Sequence, residues 1–240
     1  MKFETYAYTN CGSRKNNEDS LIYSQDMWVV CDGLGGHGGG EIASQTVTGC
    51  VMGLAKDNPD SLTDTEFLNK VITETNQAVL NEQQKKPEFK QMRTTLVAAF
   101  TDGNKLRYVN VGDSRFYYFK KGKLFCQSAD QSLSAMNVKM GTVSDVRLDE
   151  DRNRLLRALG NDDEVGVKVP EQVITIEPGD TFLLCSDGFW EYVYETEMEI
   201  DLAKSITTQE WMRYMVKRVL LKTKNLSNDN FTAICVKATL

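Results

Sequence analysis

The chain has 240 residues, 41% of them hydrophobic, and a formal net charge of −6 at pH 7. We expect a single domain over residues 1–240 with a sizeable core, because that length and composition are typical of one large domain. The net negative charge disfavours a nucleic-acid partner. We expect neither membrane insertion nor secretion, because the sequence has no long apolar stretch and its start does not resemble a signal peptide.

Runs of β-branched and aromatic residues bounded by Gly, Asn or Asp predict strands along most of the chain. These strands are predicted at 3–8, 21–24, 28–31, 95–101, 106–111, 115–120, 124–127, 173–176, 181–185 and 231–237. Apolar spacing predicts helices at 41–56, from a Thr63–Glu66 capping box to Pro87, at 152–159 and within a stretch ending near residue 222. Residues 128–149 are polar and predict an irregular surface flap. Dominant strands with helices in separated pairs predict an α+β fold.

Four aspartates lie at the edges of apolar runs, namely Asp32, Asp113, Asp187 and Asp229. Strands of this kind can deliver their carboxylates to one end of a sheet. Clustered carboxylates repel one another and would not ionise together without a cation between them. Ligand sets made only of oxygen suit hard cations such as Mg²⁺ or Mn²⁺. The four aspartates therefore predict a metal site that holds more than one ion.

The glycine-rich segment DGLGGHGGGE contains a literal GxGxxG motif in Gly33, Gly35 and Gly38. A dinucleotide site is one interpretation, but Asp32 would then face the pyrophosphate, and no βαβ alternation follows. A Walker loop is excluded because no GK[ST] follows the glycines. Close approach of the backbone to a metal explains the segment better, since the Gly33 carbonyl can itself be a ligand.

His37 is the only histidine in the chain, which excludes a zinc site built from several imidazoles. The GxSxG motif of a serine hydrolase is also missing. Two interpretations of His37 remain: a proton donor near the metals, or a polar residue on a loop.

The polar segment GSRKNNEDS places Arg14, Glu18 and Asp19 in one short turn. Most such clusters are solvated charged loops. The functional interpretation is that the planar guanidinium of Arg14 binds a phosphoryl group through two hydrogen bonds, while Glu18 faces the cations.

Seven motifs, taken in order, resemble those of the metal-dependent protein phosphatases, the PPM or type 2C group, in its compact bacterial form. The motifs are RKNNED, DGLGGHGGGE, RTTLVAA, GDSR, LLRALG, SDGFW and DNFT, and they cover nearly the whole chain. The resemblance implies a central sandwich of two antiparallel β-sheets flanked by pairs of helices, in α-β-β-α layers. It also implies a serine/threonine phosphatase that needs two tightly bound Mn²⁺ or Mg²⁺ ions and a third, weaker one.

The resemblance also implies roles for the residues that match the family pattern. Asp32 would bridge two metals, and the Gly33 carbonyl would bind one of them. Asp187 and Asp229 would complete the ligand set of the other metal, and Glu18 would act on the metals through water.

Further matches are less central. Asp113 would help to hold the weaker ion, and Arg14 would bind the substrate phosphate. Glu191 stands where the family often has aspartate, and Asp130 is expected to be an ordinary surface residue or to support a ligand. The chain departs from the pattern at Arg93, because MGTT is usual where this sequence reads MRTT. We expect that change to disturb packing near the core and to leave the chemistry intact.

The implied mechanism has no covalent intermediate, because metal ions lower the pKa of a shared water that attacks phosphorus in line. Water or His37 would protonate the leaving oxygen.

Two alternatives on the same scaffold remain, a small-molecule phosphomonoesterase and a non-catalytic metal-binding regulatory domain. We expect a cytoplasmic monomer whose partners are phosphoprotein substrates of a serine/threonine kinase, with no nucleic-acid or membrane partner. The reducing compartment is predicted from Cys31, Cys185 and Cys235, which lie in apolar strands without a CxxC pair.

Overall fold

The computed structural model describes residues 1–35, 39–161 and 165–240. The strands in these ranges are β1 (Lys2–Asn10), β2 (Ser20–Tyr23), β3 (Met27–Cys31), β4 (Gly33–Leu34), β5 (Arg93–Thr94), β6 (Leu96–Asp102), β7 (Lys105–Val111), β8 (Arg115–Lys120), β9 (Lys123–Gln127), β10 (Ile174–Thr175), β11 (Thr181–Cys185) and β12 (Phe231–Thr239). The α-helices are α1 (Gly39–Asp57), α2 (Thr65–Lys85), α3 (Leu133–Lys139), α4 (Asp187–Trp190), α5 (Glu195–Ala203) and α6 (Thr208–Lys222).

Two five-stranded sheets form the centre of the molecule. One has the strand order β1-β12-β11-β8-β9 and the other β10-β7-β6-β3-β2, and every pairing is antiparallel. Strands β4 and β5 form a separate two-stranded ribbon. The prediction of an α+β fold with two antiparallel sheets is confirmed.

The layers follow from the alternation of side chains along each strand, because successive residues point to opposite faces of a sheet. On β8, Phe116 and Tyr118 enter the core between the sheets, whereas Tyr117 and Phe119 enter the core beneath α4–α6. The outer face of the second sheet packs under α1 and α2. Three apolar layers thus hold an α-β-β-α arrangement.

The start of α2 differs from the sequence prediction. The helix begins at Thr65 after Asp64, whose side chain makes no capping hydrogen bond, so the Thr63–Glu66 capping box is wrong. Buried Arg107 holds this turn instead: its Nη1 donates to the Thr63 carbonyl at 3.1 Å and to the Thr65 hydroxyl at 2.8 Å.

Residues 152–159 do not form the predicted helix. Leu155 bridges Ser132, and Leu159 bridges Thr94 with hydrogen bonds in both directions. The segment therefore satisfies its backbone groups by pairing with the flap and with β5. The flap itself is more regular than predicted, because α3 lies within it.

The cysteines behave as the sequence predicts. All six are free, and Cys31, Cys185 and Cys235 are buried in the strands. Among the described residues, none of the helices combines the length and the apolar character that a membrane span requires.

Candidate active site

A cleft of about 410 Å³ opens at one end of the sandwich, where several strands end or begin. Its lining includes seven residues predicted for the site: Arg14, Glu18, Asp32, Gly33, Asp113, Asp187 and Asp229. The remaining lining residues are Lys15, Asn16, Leu34, Gly35, Asn153, Leu155 and Asn230. His37, the other predicted site residue, lies outside the described residues.

Antiparallel pairing brings the carboxylates of Asp187 and Asp229 to the same end. Asp187 follows β11 and begins α4, while Asp229 precedes β12, the antiparallel neighbour of β11. Gly188 allows the two chain segments to touch, because a Cβ there would lie 2.1 Å from the Asn230 carbonyl oxygen. A larger residue at Gly188 would push α4 away from β12.

A similar close approach places Glu18 beside Asp32 and Gly33. The Gly33 amide donates to the Glu18 carbonyl at 3.1 Å. A Cβ on Gly33 would lie 2.2 Å from the Gly40 carbonyl oxygen, so only glycine fits here. The first turn of α1, the end of β3 and the loop before β2 therefore meet at one point.

Burial and mutual repulsion disfavour ionisation of the aspartates. Burial raises the pKa of Asp32 well above its usual range, and the neighbouring charges of Asp19 and Asp187 raise it further. Burial also raises the pKa of Asp187. A hydrogen bond that the Asp187 carboxylate accepts from Asp32 partly offsets this increase. Asp113, 4% exposed, has a pKa raised first by burial and then by Asp187. All of these carboxylates can therefore ionise together only when positive charge is bound among them.

Asp19 belongs to this cluster, although the sequence prediction did not assign it to the site. Its Oδ2 accepts a hydrogen bond from Ser186 Oγ at 2.8 Å, but its buried Oδ1 has no partner among the described residues. Burial raises the pKa of Asp19 to about 7. The available signal was its position beside Glu18, directly before a strand.

Arg14 binds a carboxylate of the cluster in this structure. Its Nε donates to Asp229 Oδ1 at 3.0 Å and its Nη2 to Asp229 Oδ2 at 2.7 Å, a bidentate pair. The two side chains are 58% and 41% exposed, so the pair lies at the mouth of the cleft. The hydrogen bond and charge of Asp229 raise the pKa of Arg14.

Glu191 lies near the same cluster. Burial and then the charge of Asp187 raise the pKa of Glu191 to about 7, against the lowering effect of Arg152. The ion pair joins Arg152 Nε to Glu191 Oε1 at 3.2 Å. This contact ties α4 to the segment that follows the flap.

Asp130 is not an ordinary surface residue. Its side chain is 8% exposed and pairs with the buried Arg115 at 2.7 Å. The Arg115 guanidinium lies 3.4 Å from the centre of the Trp190 ring, and the Trp190 indole donates to the Asp113 carbonyl at 3.0 Å. Asp130 therefore helps to position Asp113 in the cleft through Arg115 and Trp190.

The donors of the cleft fit a hard divalent cation. They are carboxylate and carbonyl oxygens, and a bound cation would favour ionisation of the carboxyl groups whose pKa values are raised. The buried Asp19 Oδ1 also has no hydrogen-bond partner among the described residues. In residues 1–35, 39–161 and 165–240, no three Asp, Glu or Cys side chains are already gathered closely enough to hold an ion. A bound cation would compete with Arg14 for Asp229.

Comparison with known proteins agrees with this geometry. The family model described as Protein phosphatase 2C matches residues 11–227. The chain belongs to this family. It is 34% identical to the serine/threonine phosphatase stp of Listeria monocytogenes over 240 residues, covering 95% of this chain and 92% of stp.

Two solved structures of PstP show the same fold. The Mycobacterium tuberculosis serine/threonine phosphatase PstP/Ppp superposes with a TM-score of 0.87 at 28% identity and full coverage of both chains. The catalytic domain of PstP in complex with two manganese ions gives a TM-score of 0.85 at 27% identity, covering 100% of this chain and 99% of that one. These matches confirm the predicted family, fold and enzyme class, a serine/threonine phosphatase. The manganese pair in that PstP structure agrees with the predicted cofactor class.

Proposed function

We propose that this phosphatase hydrolyses phosphoserine and phosphothreonine in proteins with the help of divalent cations, within one catalytic domain over residues 1–240. The supporting observation is the convergence of Asp32, Asp113, Asp187 and Asp229 in one cleft, with Arg14 at its mouth. A phosphomonoester is a dianion, so a cleft this acidic needs bound cations before it can receive one.

The carboxylates are assigned to two tightly bound Mn²⁺ or Mg²⁺ ions. Asp32 and the Gly33 carbonyl would serve one ion, and Asp187 and Asp229 the other with Asp32 shared. Glu18 would act through water. When bound, such ions lower the pKa of a water and neutralise phosphoryl oxygens.

Arg14 is assigned to the substrate phosphate. Its guanidinium is the bidentate donor at the cleft mouth and is more than half exposed, so it can exchange the Asp229 carboxylate for phosphoryl oxygens. Asp113 would help to hold a third, weaker ion. Protonation of the leaving oxygen is assigned to water or to His37.

Asn230 is proposed to position these groups. Its Oδ1 accepts from the Glu18 amide at 2.8 Å, and its Nδ2 donates to the carbonyls of Cys11 and Asn16 at 3.0 Å. One side chain thereby fixes the loop that carries Arg14 and Glu18 against the start of β12. Asn230→Ala should weaken both phosphate and metal binding.

The cell setting is a further proposal. Six free cysteines suit a reducing compartment, which supports a cytoplasmic enzyme. We propose a monomer that acts on phosphoproteins and opposes a serine/threonine kinase, without nucleic-acid or membrane partners.

The experiment compares substrate classes with protein stripped of metal by EDTA and then supplied with Mn²⁺. Phosphothreonine peptides, p-nitrophenyl phosphate and nucleotides are assayed by phosphate release. We expect no turnover before Mn²⁺ is added and the highest kcat/KM for peptides afterwards. Preference for nucleotides would favour a small-molecule phosphatase, and inactivity towards all three with Mn²⁺ bound would favour a non-catalytic metal-binding domain.

A further inference from the structure

A second cleft, of about 390 Å³, adjoins the catalytic cleft. The two share four lining residues: Leu34, Gly35, Asn153 and Leu155. The rest of the second lining is Gln91, Arg93, Ala158 and Asn161. A phosphorylated side chain in the first cleft would thus have neighbouring residues of its peptide over the second.

Arg93 is the charged residue in the described lining of this second cleft. It pairs with Leu34 across the β4–β5 ribbon, and its side chain is exposed, whereas the adjacent Met92 and Thr94 are buried. The expectation that Arg93 disturbs core packing is therefore wrong. The substitution for the usual glycine places a cation on the surface.

The Arg93 guanidinium makes no hydrogen bond or ion pair with any residue that the structure describes. Three other arginines near the clefts are engaged: Arg14 by Asp229, Arg115 by Asp130 and Arg152 by Glu191. Arg93 is thus available to a ligand without first breaking a pair with any described residue.

The polar groups around Arg93 also suit an anion. Gln91, Asn153 and Asn161 carry side-chain amides, whose N–H groups can donate to an oxyanion. No carboxylate belongs to the described lining of this cleft. The described lining residues therefore carry positive charge, opposite to that of the neighbouring aspartate cluster.

We propose that Arg93 and these amides form a subsite for an anionic group close to the phosphorylated residue of the substrate. The anion is either an acidic side chain or a second phosphoryl group, since a guanidinium binds both. This inference rests on the proposed protein phosphatase function and adds a substrate preference to it. It also gives a role to Arg93, which stands where the family usually has glycine.

The test measures kcat/KM for phosphothreonine peptides of one sequence, at low salt and with saturating Mn²⁺. One peptide has neutral flanks, a second series carries Glu at successive flanking positions, and a third carries phosphoserine there. p-Nitrophenyl phosphate, which has no flanks, reports activity of the catalytic cleft alone. We expect a preference of about twofold to fivefold for Glu at the matching position, the range of an exposed ion pair, and more for the dianionic phosphoserine.

Three variants assign that preference to Arg93. Arg93→Gln removes the charge and should abolish the preference, while Arg93→Lys should restore much of it. Arg213→Gln, an equal charge change at an exposed site on α6, should leave it intact. All three should hydrolyse p-nitrophenyl phosphate like wild type, and the preference should shrink with added salt.

The outcomes separate this inference from the function on which it rests. Peptide hydrolysis without a charge preference, a preference that survives in Arg93→Gln, or an equal loss in Arg213→Gln would each overturn the subsite. Hydrolysis of p-nitrophenyl phosphate with no peptide hydrolysis would instead overturn the protein phosphatase function.

Discussion

At the scale of single residues, the cleft gathers carboxylates whose charges destabilise one another. Burial raises the pKa of Asp32, Asp113 and Asp187, and the closeness of the acids adds to that effect. Removing one acid relieves repulsion in the metal-free protein, so acid-to-amide variants should keep the fold while losing metal. Such variants can therefore separate function from stability.

Arg14 gives the first residue-scale prediction. Arg14→Ala should weaken phosphate binding and lower kcat/KM about tenfold to a hundredfold, because a charge-assisted pair to a dianion contributes roughly 1.5–3 kcal/mol. Mn²⁺ affinity should not fall, since the variant also frees Asp229. Steady-state kinetics and calorimetric Mn²⁺ titration measure the two effects. A collapse of Mn²⁺ binding would show that Arg14 belongs to the metal site.

Asp113 gives the second prediction at the scale of single residues. In the proposed division of the carboxylates, the ion at Asp113 is held by few protein oxygens and should therefore bind weakly. Asp113→Asn should leave the tight Mn²⁺ sites intact, remove a weak site and lower turnover. Calorimetry resolves the two classes of site. Loss of the tight sites would place Asp113 in the central pair.

The carboxylates that line the cleft could be predicted as a group because a carboxylate at the edge of an apolar run has little structural use. Asp19 could not be assigned, since its importance comes from burial against Ser186, which lies 167 positions away. The pairing of Arg14 with Asp229 spans 215 positions and was equally invisible. Arg93 was misjudged because sequence neighbours that are buried do not reveal which way a ribbon residue faces.

At the scale of elements, a buried ion pair joins the flap to the sheet. Arg115 and Asp130 are 5% and 8% exposed, so loss of one partner leaves a buried charge uncompensated. Arg115→Gln should lower the free energy of unfolding by roughly 3–5 kcal/mol. Urea denaturation measures this change.

The matched control is Arg154→Gln, which removes an exposed pair with Asp151, 71% and 39% exposed. Its cost should stay below about 1 kcal/mol. Equal effects of Arg115→Gln and Arg154→Gln would show that the Arg115 pair does not hold the flap.

Element predictions succeeded where periodicity was long and failed where tertiary partners decide. The alternation along β8 and the apolar face of α6 are visible in the sequence and fix the layers. Residues 152–159 have helical spacing, yet their backbone pairs with Ser132 and Thr94, which no local pattern encodes.

At the scale of the whole molecule, the acidic cluster should make stability depend on pH. The pKa of Asp19 is raised to about 7 in the folded state, against about 3.9 in an unfolded chain. The folded protein then binds more protons than the unfolded one between these values, so stability falls as pH rises through that window. The raised pKa values of Asp32, Asp113 and Asp187 act in the same direction.

We therefore expect the EDTA-treated protein to unfold at a lower temperature at pH 8 than at pH 5.5. Asp19→Asn should flatten this dependence, and Mn²⁺ at pH 8 should restore stability by binding the folded state. Thermal unfolding followed by circular dichroism measures each case. Greater stability of the EDTA-treated wild type at pH 8 would contradict the direction of these pKa shifts.

The claim that the carboxylate cleft uses divalent cations to hydrolyse phosphoproteins is tested most directly by one titration. Phosphate release from a phosphothreonine peptide is followed as Mn²⁺ is added to EDTA-stripped wild type, Asp187→Asn and the exposed control Asp60→Asn. Wild type and Asp60→Asn should gain activity saturably, while folded Asp187→Asn should remain slower by orders of magnitude at saturation. Full activity of wild type in EDTA, or of Asp187→Asn with Mn²⁺, would contradict the claim.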